Sequence, residues 1–358
     1  MSWLLAFMGF ALLVILHEAG HFAAAKAVGM RVERFSLFFP PLLARKKIGE
    51  TEYAIGAIPA GGYVKITGMN PDEKLPPEVR DRAYHAQPVW KRMVVIAAGP
   101  GVNLVLALLL LLAYFWFVGP RAVAVDKVQT GYPAHARLQT GDRVVAVDGH
   151  AGGPKRTAAL IAAHRCAQQP PRPRCVAATP ARLTIDRHGR RVTLSLRPIY
   201  DPATKRMRLG FQYGNTGPRR SEPFGRAFDT AVSSFGYITG KTVTLPAKFF
   251  NAKERKQIHG VVGNYEYTRQ TILHDLPDVL GILAIISLAL AIVNLFPFLP
   301  LDGGHIFWAA VEKIRGRPVP LAVMERSGVV GFALVLVVFI IGFTNDINTL
   351  SGKGFQVR

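Results

Sequence analysis

Ile15-Leu16-His17-Glu18-Ala19-Gly20-His21-Phe22 decides the reading of this chain. The eight residues lie inside an apolar run from about Ser2 to Val28, and a bilayer crossing takes roughly 20 such residues. On a helix, residues i and i+4 share a face one turn apart, so His17 and His21 can offer two imidazoles to one metal ion. Glu18, one residue past the first histidine, stands beside such an ion, a position that suits a general base acting on metal-bound water. Ionisable side chains within a span cost several kcal/mol, which makes them functional candidates by default. The plainer alternative is a pair of helix histidines satisfied by neighbouring spans.

Working outward, three further apolar runs reach spanning length: Met93 to Val118, Leu276 to about Leu301, and Leu321 to Phe343. They account for an unusual composition. The 358 residues are 50% hydrophobic and only 19% charged, yet 44 Lys and Arg face 23 Asp and Glu, a net charge of +21. Soluble domains carry about 25% charged residues, and a disordered basic chain would not be half apolar. Segregation reconciles the two properties, with apolar blocks in lipid and charge in the aqueous parts. Two cysteines exclude a disulfide-dense scaffold and a Cys-rich zinc module. No basic stretch precedes the first run and no small-residue cleavage site follows it, so it is expected to stay rather than leave as a signal peptide.

The expected plan is a polytopic α-helical membrane protein with four transmembrane helices. Helix 1 with the metal motif occupies 1–30, a loop 31–92, helix 2 93–118, an outer domain 119–215, an amphipathic connector 216–275, helix 3 276–302, a loop 303–320, helix 4 321–344 and a tail 345–358. Residues 28–92 carry eleven Lys/Arg, and Lys313, Arg315, Arg317 and Arg326 follow the third span. Basic residues near span ends favour the cytoplasm, which places these two loops inside and the middle domain and both termini outside. The middle region, 121–275, carries 26 Lys/Arg against 10 Asp/Glu. No nucleic-acid module accompanies that charge, so anionic lipid head groups or acidic substrate segments are preferred over nucleic acid as partners, beside a merely solvated surface.

A hydrolytic zinc takes three protein ligands and an open position. The third span ends Asn294-Leu295-Phe296-Pro297-Phe298-Leu299-Pro300-Leu301-Asp302-Gly303-Gly304-His305. Pro297 and Pro300 break the helix, and Gly303-Gly304 are expected to free the backbone beyond the carboxylate. Unwound backbone at membrane depth is tolerated only where it is buried in protein or lines a wet cavity, so the segment itself marks a site. Asp302 is favoured as third ligand over His305, because a carboxylate near the bilayer is harder to account for than a neutral imidazole at its edge.

His17-Glu18-x-x-His21 in one span, with Asn294, Pro297 and Leu301-Asp302-Gly303 in a later one, resembles the site-2 protease family of intramembrane zinc metalloproteases. Gly99-Pro100-Gly101-Val102-Asn103 resembles a Gly-Pro-x-x-Asn pattern of the same family. The resemblance covers most of the chain and implies Zn2+ held by His17, His21 and Asp302, with Glu18 as catalytic base. Asn294 and Asn103 are assigned to substrate binding, together with Gly61 and Gly62. One departure stands: many members have prolines three and five residues after the asparagine, whereas here they fall at three and six, which touches the backbone path rather than the ligand.

Glu52–Ile58 and Tyr63–Ile66 flank a Pro/Gly turn and read as a β-hairpin, where the family implies a membrane-associated β-loop. An exposed edge strand there could hold an unwound substrate by strand addition, and Gly61-Gly62 would permit close backbone approach. Further on, Leu138-x-x-Gly141-Asp142 and Val147-Asp148-Gly149 resemble a PDZ domain, an α/β module that usually binds peptides beside a strand. Strand-like alternation continues in Arg182–Asp186 and Val192–Arg197 around His188-Gly189. Cys166 and Cys175 flank a Pro-rich segment and can form a disulfide if the domain is outside. Phe224, Phe228, Val232, Phe235 and Ile238 recur at helical spacing, followed by Leu245, Lys248, Phe249, Phe250 and Lys253. This stretch reads as an interfacial amphipathic helix or pair, or as a helix packed on the PDZ domain.

The expected activity is zinc-dependent endoproteolysis within a multi-pass cell-membrane protein. By resemblance the substrate is a single-pass membrane protein already cut on its outer side, such as an anti-sigma factor, in regulated intramembrane proteolysis. A non-proteolytic PDZ-bearing adaptor and a metal transporter are the alternatives; the intact Glu18 weighs against the first, and the one-sided clustering of ionisable groups against the second.

Overall fold

The computed structural model describes residues 2–70, 73–168, 171–244, 246, 251, 255 and 260–352. Leu245, Lys248, Phe249, Phe250 and Lys253 therefore lie outside the described residues. The chain forms two compact units, one of residues 1–116 with 223–357 and one of residues 117–222.

The first unit is built on helices α1 (Ser2–Ala27) and α3 (Val89–Ala113), which pack against each other. Gly20 makes their approach close, since a Cβ there would meet the Ala98 carbonyl. Between them run strands β1 (Val32–Ile48) and β2 (Thr51–Ile66), then a single turn α2 (Pro77–Arg80). Helices α5 (Phe224–Val243), α6 (Val261–His274), α7 (Val279–Asn294), α8 (Asp302–Arg315) and α9 (Leu321–Ser351) follow. Among the described residues, four helices are long and apolar enough to cross a membrane: Ser2–Ala27, Val89–Val118, Leu276–Asn294 and Ala322–Ser351.

Several boundaries differ from the expected plan. The second span begins earlier, at Val89, because Pro88 precedes the helix and the basic residues Lys91 and Arg92 are carried in its first turn. The third helix stops at Asn294, and 295–301 are irregular. The expected loop 303–320 is mostly α8, amphipathic and closed by Gly316 in the left-handed conformation. The expected tail starts as helix, since α9 continues to Ser351.

The predicted hairpin is also corrected. Glu52–Ile55 and Gly62–Lys65 do not pair with each other; Arg34–Leu37 lie between them, and Glu52–Ile55 pair on their far side with Ala44–Lys47. The inserted strand is anchored by Val32 and Ser36, both fully buried. Gly62–Ile66 is thereby left as one edge of the sheet, with Ala44–Ile48 at the other.

On α5 the small residues Ala227 and Ala231 are buried, and Phe235 and Ile238 pack with residues of α3 and α7. Phe224, Phe228 and Val232 are exposed. The aromatic stripe thus divides, its first three members exposed and Phe235 and Ile238 packed inward, while small residues make the interhelical seam, as they do between membrane helices. At the far end of the bundle, Asp346 of α9 is fully buried and accepts hydrogen bonds from the backbone N–H of Gly260 and Gly263, capping the start of α6.

The second unit holds strands β3 (Ala124–Val128), β4 (Arg143–Val147), β5 (His150–Ala151), helix α4 (Pro154–Ala163), then β6 (Ala181–Arg187), β7 (Arg190–Leu196), β8 (Ile199–Asp201), β9 (Arg206–Arg208) and β10 (Phe211–Gly214). One sheet has the order β5-β4-β6-β7, and β10 pairs with β3. Val125, Leu138, Val147, Ile161, Leu183, Ile185 and Leu209 form its core. Asp142, nearly buried, is held by a two-point ion pair with Arg187. Cys166 and Cys175 are joined as a disulfide.

Candidate metal centre

Helix α1 presents His17 and His21 one turn apart, both buried. Asp302 arrives from far along the sequence, as the first residue of α8. Its placement rests on Gly303 and Gly304, but not for the reason the sequence suggests. Both are ordinary helical residues. A Cβ at Gly303 would strike the Leu295 carbonyl and one at Gly304 the Leu299 amide, so the glycines let the broken segment 295–301 fold flat onto the first turn of α8.

The three donor atoms form a nearly equilateral triangle. His17 Nε2 and His21 Nε2 are 3.3 Å apart, and Asp302 Oδ2 lies 3.2 Å from the first and 3.4 Å from the second. Bonds of roughly 2.0–2.1 Å in a tetrahedral zinc site put ligand atoms roughly 3.3–3.4 Å apart, so the donor set fits that ion in both chemistry and spacing. Asp302 Oδ2 is buried with no hydrogen-bond donor of its own. The imidazole of His21 is oriented from behind: its Nδ1–H donates to the Val95 carbonyl at 2.9 Å, which leaves the Nε2 lone pair facing the triangle. Gly99 makes room for that ring, because any side chain there would run into it. Among the described residues, no other group of His, Cys, Asp and Glu gathers in this way, and His305 stands outside the triangle.

The triangle opens onto a cavity of about 440 Å³. Glu18, Asn294, Gly61, Gly62 and His305 line it with the three donors. Gly62 backs directly onto Glu18, whose Cγ a Cβ at that position would meet at 2.8 Å. Phe39 and Tyr63 stack at 6.0 Å beside the opening. Asn103 departs from its expected place. It does not line the cavity but is fully buried behind His17, its side-chain amide 3.4 Å from His17 Nδ1, and its backbone carbonyl accepts a hydrogen bond from Ser287 of α7. Its place in the sequence, some ten residues into an apolar span, could not separate a wall residue from a supporting one.

Two contributors escaped sequence reading altogether. Val95 acts through its carbonyl, which leaves no trace in a side-chain pattern. Arg92 and Glu312 form a two-point ion pair at 2.6 and 3.0 Å that ties α3 to the helix carrying Asp302. Their signal was two unlike charges beside apolar runs, unreadable without knowing that α8 is a helix.

Residues 5–338 match the model of peptidase family M50. The chain belongs to peptidase family M50. It is 32% identical over 338 residues to zinc metalloprotease Rip1 of Mycobacterium tuberculosis, covering 84% of this chain and 83% of that one. It is 31% identical over 348 residues to a protein of Nostoc sp. (94% and 93% covered) and 30% identical over 348 residues to one of Brucella suis (90% and 89%), both named as putative zinc metalloproteases. This M50 peptidase is therefore a zinc-dependent metalloendopeptidase of the site-2 protease family, and its four apolar helices make it a multi-pass membrane protein.

Proposed function

We propose that the chain cleaves the transmembrane segment of a single-pass membrane protein, with zinc held by His17, His21 and Asp302 and with Glu18 as base. The observation that carries this reading is the meeting of three donor atoms from distant parts of the chain, 3.2–3.4 Å apart, at the wall of a cavity flanked by a sheet edge.

When bound, zinc lowers the pKa of a water molecule and polarises the scissile carbonyl. The remaining work falls to the protein. Glu18 takes the proton of the attacking water onto its carboxylate and passes it to the leaving amide nitrogen. A substrate helix has its amides paired internally, so it must be unwound before attack. The edge strand Gly62–Ile66 supplies unpaired backbone groups to the unwound stretch. Gly61 and Gly62 let that backbone approach, and the Asn294 amide on the cavity wall can bind it in place.

The second unit is read as an extracytoplasmic PDZ domain that screens substrates already shortened on their outer side; the family resemblance adds anti-sigma factors as a class. Support comes from a cavity of about 340 Å³ lined by Thr157 and Ile161 of α4 and by Leu209, Gly210 and Phe211 beside β10. The basic loops before α3 and after α8 support a cytoplasmic placement of those ends in the cell membrane. The large exposed apolar residues of α9, among them Val329, Phe332 and Phe339, support lipid contact.

The test is proteolysis of a model single-pass substrate by purified protein. Glu18→Gln should retain one zinc per chain and lose at least about a hundredfold in rate, within the span general acid–base catalysis supplies. Asp302→Asn should lose the metal. Equal cleavage by wild type and Glu18→Gln would remove the base from its role.

A further inference from the structure

Asn103 sits where a substrate cannot reach it, and its surroundings assign it other work. We infer that Asn103 is a positioning residue that fixes the tautomer of His17, its side-chain oxygen accepting the Nδ1–H so that Nε2 is free to bind metal. This deepens the proposed reading of the site and rests on it.

The starting observation is an asymmetry between two histidines. His21 Nδ1 faces the Val95 carbonyl, which can only accept, so its hydrogen is on Nδ1 and Nε2 carries a lone pair. His17 presents the same nitrogen, Nε2, to the triangle. It therefore requires the same tautomer, and an Nδ1–H inside a packed helical bundle requires an acceptor. The group beside His17 Nδ1 is the Asn103 amide, at 3.4 Å through its nitrogen, while Asn103 Oδ1 is buried with no partner. The two ends of an amide are nearly the same shape and are told apart by their hydrogen bonds. Turning the group over brings Oδ1 to the ring. The swap leaves the NH2 where the orphan oxygen was; what it supplies is the acceptor that the tautomer demands.

The residue is held to that task. Asn103 is fully buried on α3, two turns beyond Val95, so one helix orients both imidazoles of α1. The Ser287 hydroxyl of α7 donates to the backbone carbonyl of Asn103 at 2.9 Å, fastening α3 at this point to the helix that precedes Asp302. A neutral amide here also leaves the charge of the centre unchanged, whereas a backbone carbonyl serves His21.

The experiment compares zinc affinity in detergent-purified wild type, Asn103→Leu, Asn103→Asp and His17→Ala by competition with a chromophoric chelator. Histidine tautomers are read separately from long-range 1H–15N spectra of the metal-free proteins. Loss of such an outer partner costs roughly 10–100-fold in metal affinity. Asn103→Leu should lose that factor and its His17 should shift toward the Nε2–H form. Asn103→Asp, which keeps an acceptor of the same shape, should hold zinc within a few-fold of wild type. Leucine with wild-type affinity and an Nδ1–H His17 overturns the inference, as does an aspartate variant that folds with wild-type melting yet loses zinc as badly as leucine. If His17→Ala itself binds zinc like wild type, the ligand assignment falls instead, so the two failures are distinct.

Discussion

Gly99 lies flat against the imidazole of His21, with no room between them for a single methyl group. The close approach is what lets α3 reach the ring from behind with the Val95 carbonyl while leaving Nε2 open. Gly99→Ala adds good helix propensity, about 1 kcal/mol in an ordinary helix, and should nonetheless cost function. We expect it to lower zinc affinity by roughly the 10–100-fold seen when a ligand is misoriented, measured by chelator competition, with the secondary structure of the metal-free protein unchanged.

Gly62 occupies the same kind of space against Glu18. A Cβ there would meet Glu18 Cγ at 2.8 Å and the Ser36 carbonyl at 2.9 Å, and the second of these is backbone that yields little. Gly62→Ala should push the carboxylate off line. The expected outcome is a drop in kcat of about tenfold or more with zinc content intact, since small displacements of a positioned group are costly. Zinc loss in this variant would show instead that the strand supports the ligands.

The Arg92–Glu312 pair clamps the helix that bears Asp302. Arg92 Nε is already buried without a partner, so replacing Glu312 by Gln leaves the guanidinium poorly compensated. The loss should be about 1.5–3 kcal/mol, the range for hydrogen bonds to charged groups. It is measured as reduced thermal stability, accompanied by weaker zinc binding because α8 is less firmly docked. Arg92→Lys should not rescue stability, as an ammonium cannot reproduce the two parallel bonds.

Acid should loosen the β-loop through Glu50. Two hydrogen bonds from Arg82, and then Lys26, hold its carboxyl down to about 2, against an ordinary 4.5. A depressed value means the contribution is complete above about pH 4.5 and fades as pH falls toward 2. The ion pair is a third exposed, so its worth is under about 1 kcal/mol. Between pH 5 and pH 2.5 the melting temperature of wild type should therefore converge on that of Glu50→Gln; a constant gap across that range would place the effect elsewhere.

The sequence carried the first-span motif plainly because His17 and His21 are joined by one local rule, the helical turn. Asp302 was legible for a different reason: a carboxylate beside broken helix in an apolar segment is too costly to persist without a partner or a task. The sheet was misread because strand order is not a local property. Glu52–Ile58 and Tyr63–Ile66 each looked like strands and were neighbours in sequence, yet Arg34–Leu37 took the place between them. Asn103 lies buried beside His17 and off the cavity wall, a placement that residue type alone does not reveal. On α5 the periodicity of the large apolar residues was legible, but not that alanines make the seam, because small residues leave little mark in a hydropathy pattern.

His17 and His21 are synthesised long before Asp302, with the whole second unit made in between. A ribosome must deliver all of that polypeptide before the third donor exists, and α8 must then fold back onto α3 for it to arrive. On the proposed ligand assignment, the nascent chain carries two of its three donors and no complete metal centre until that closure.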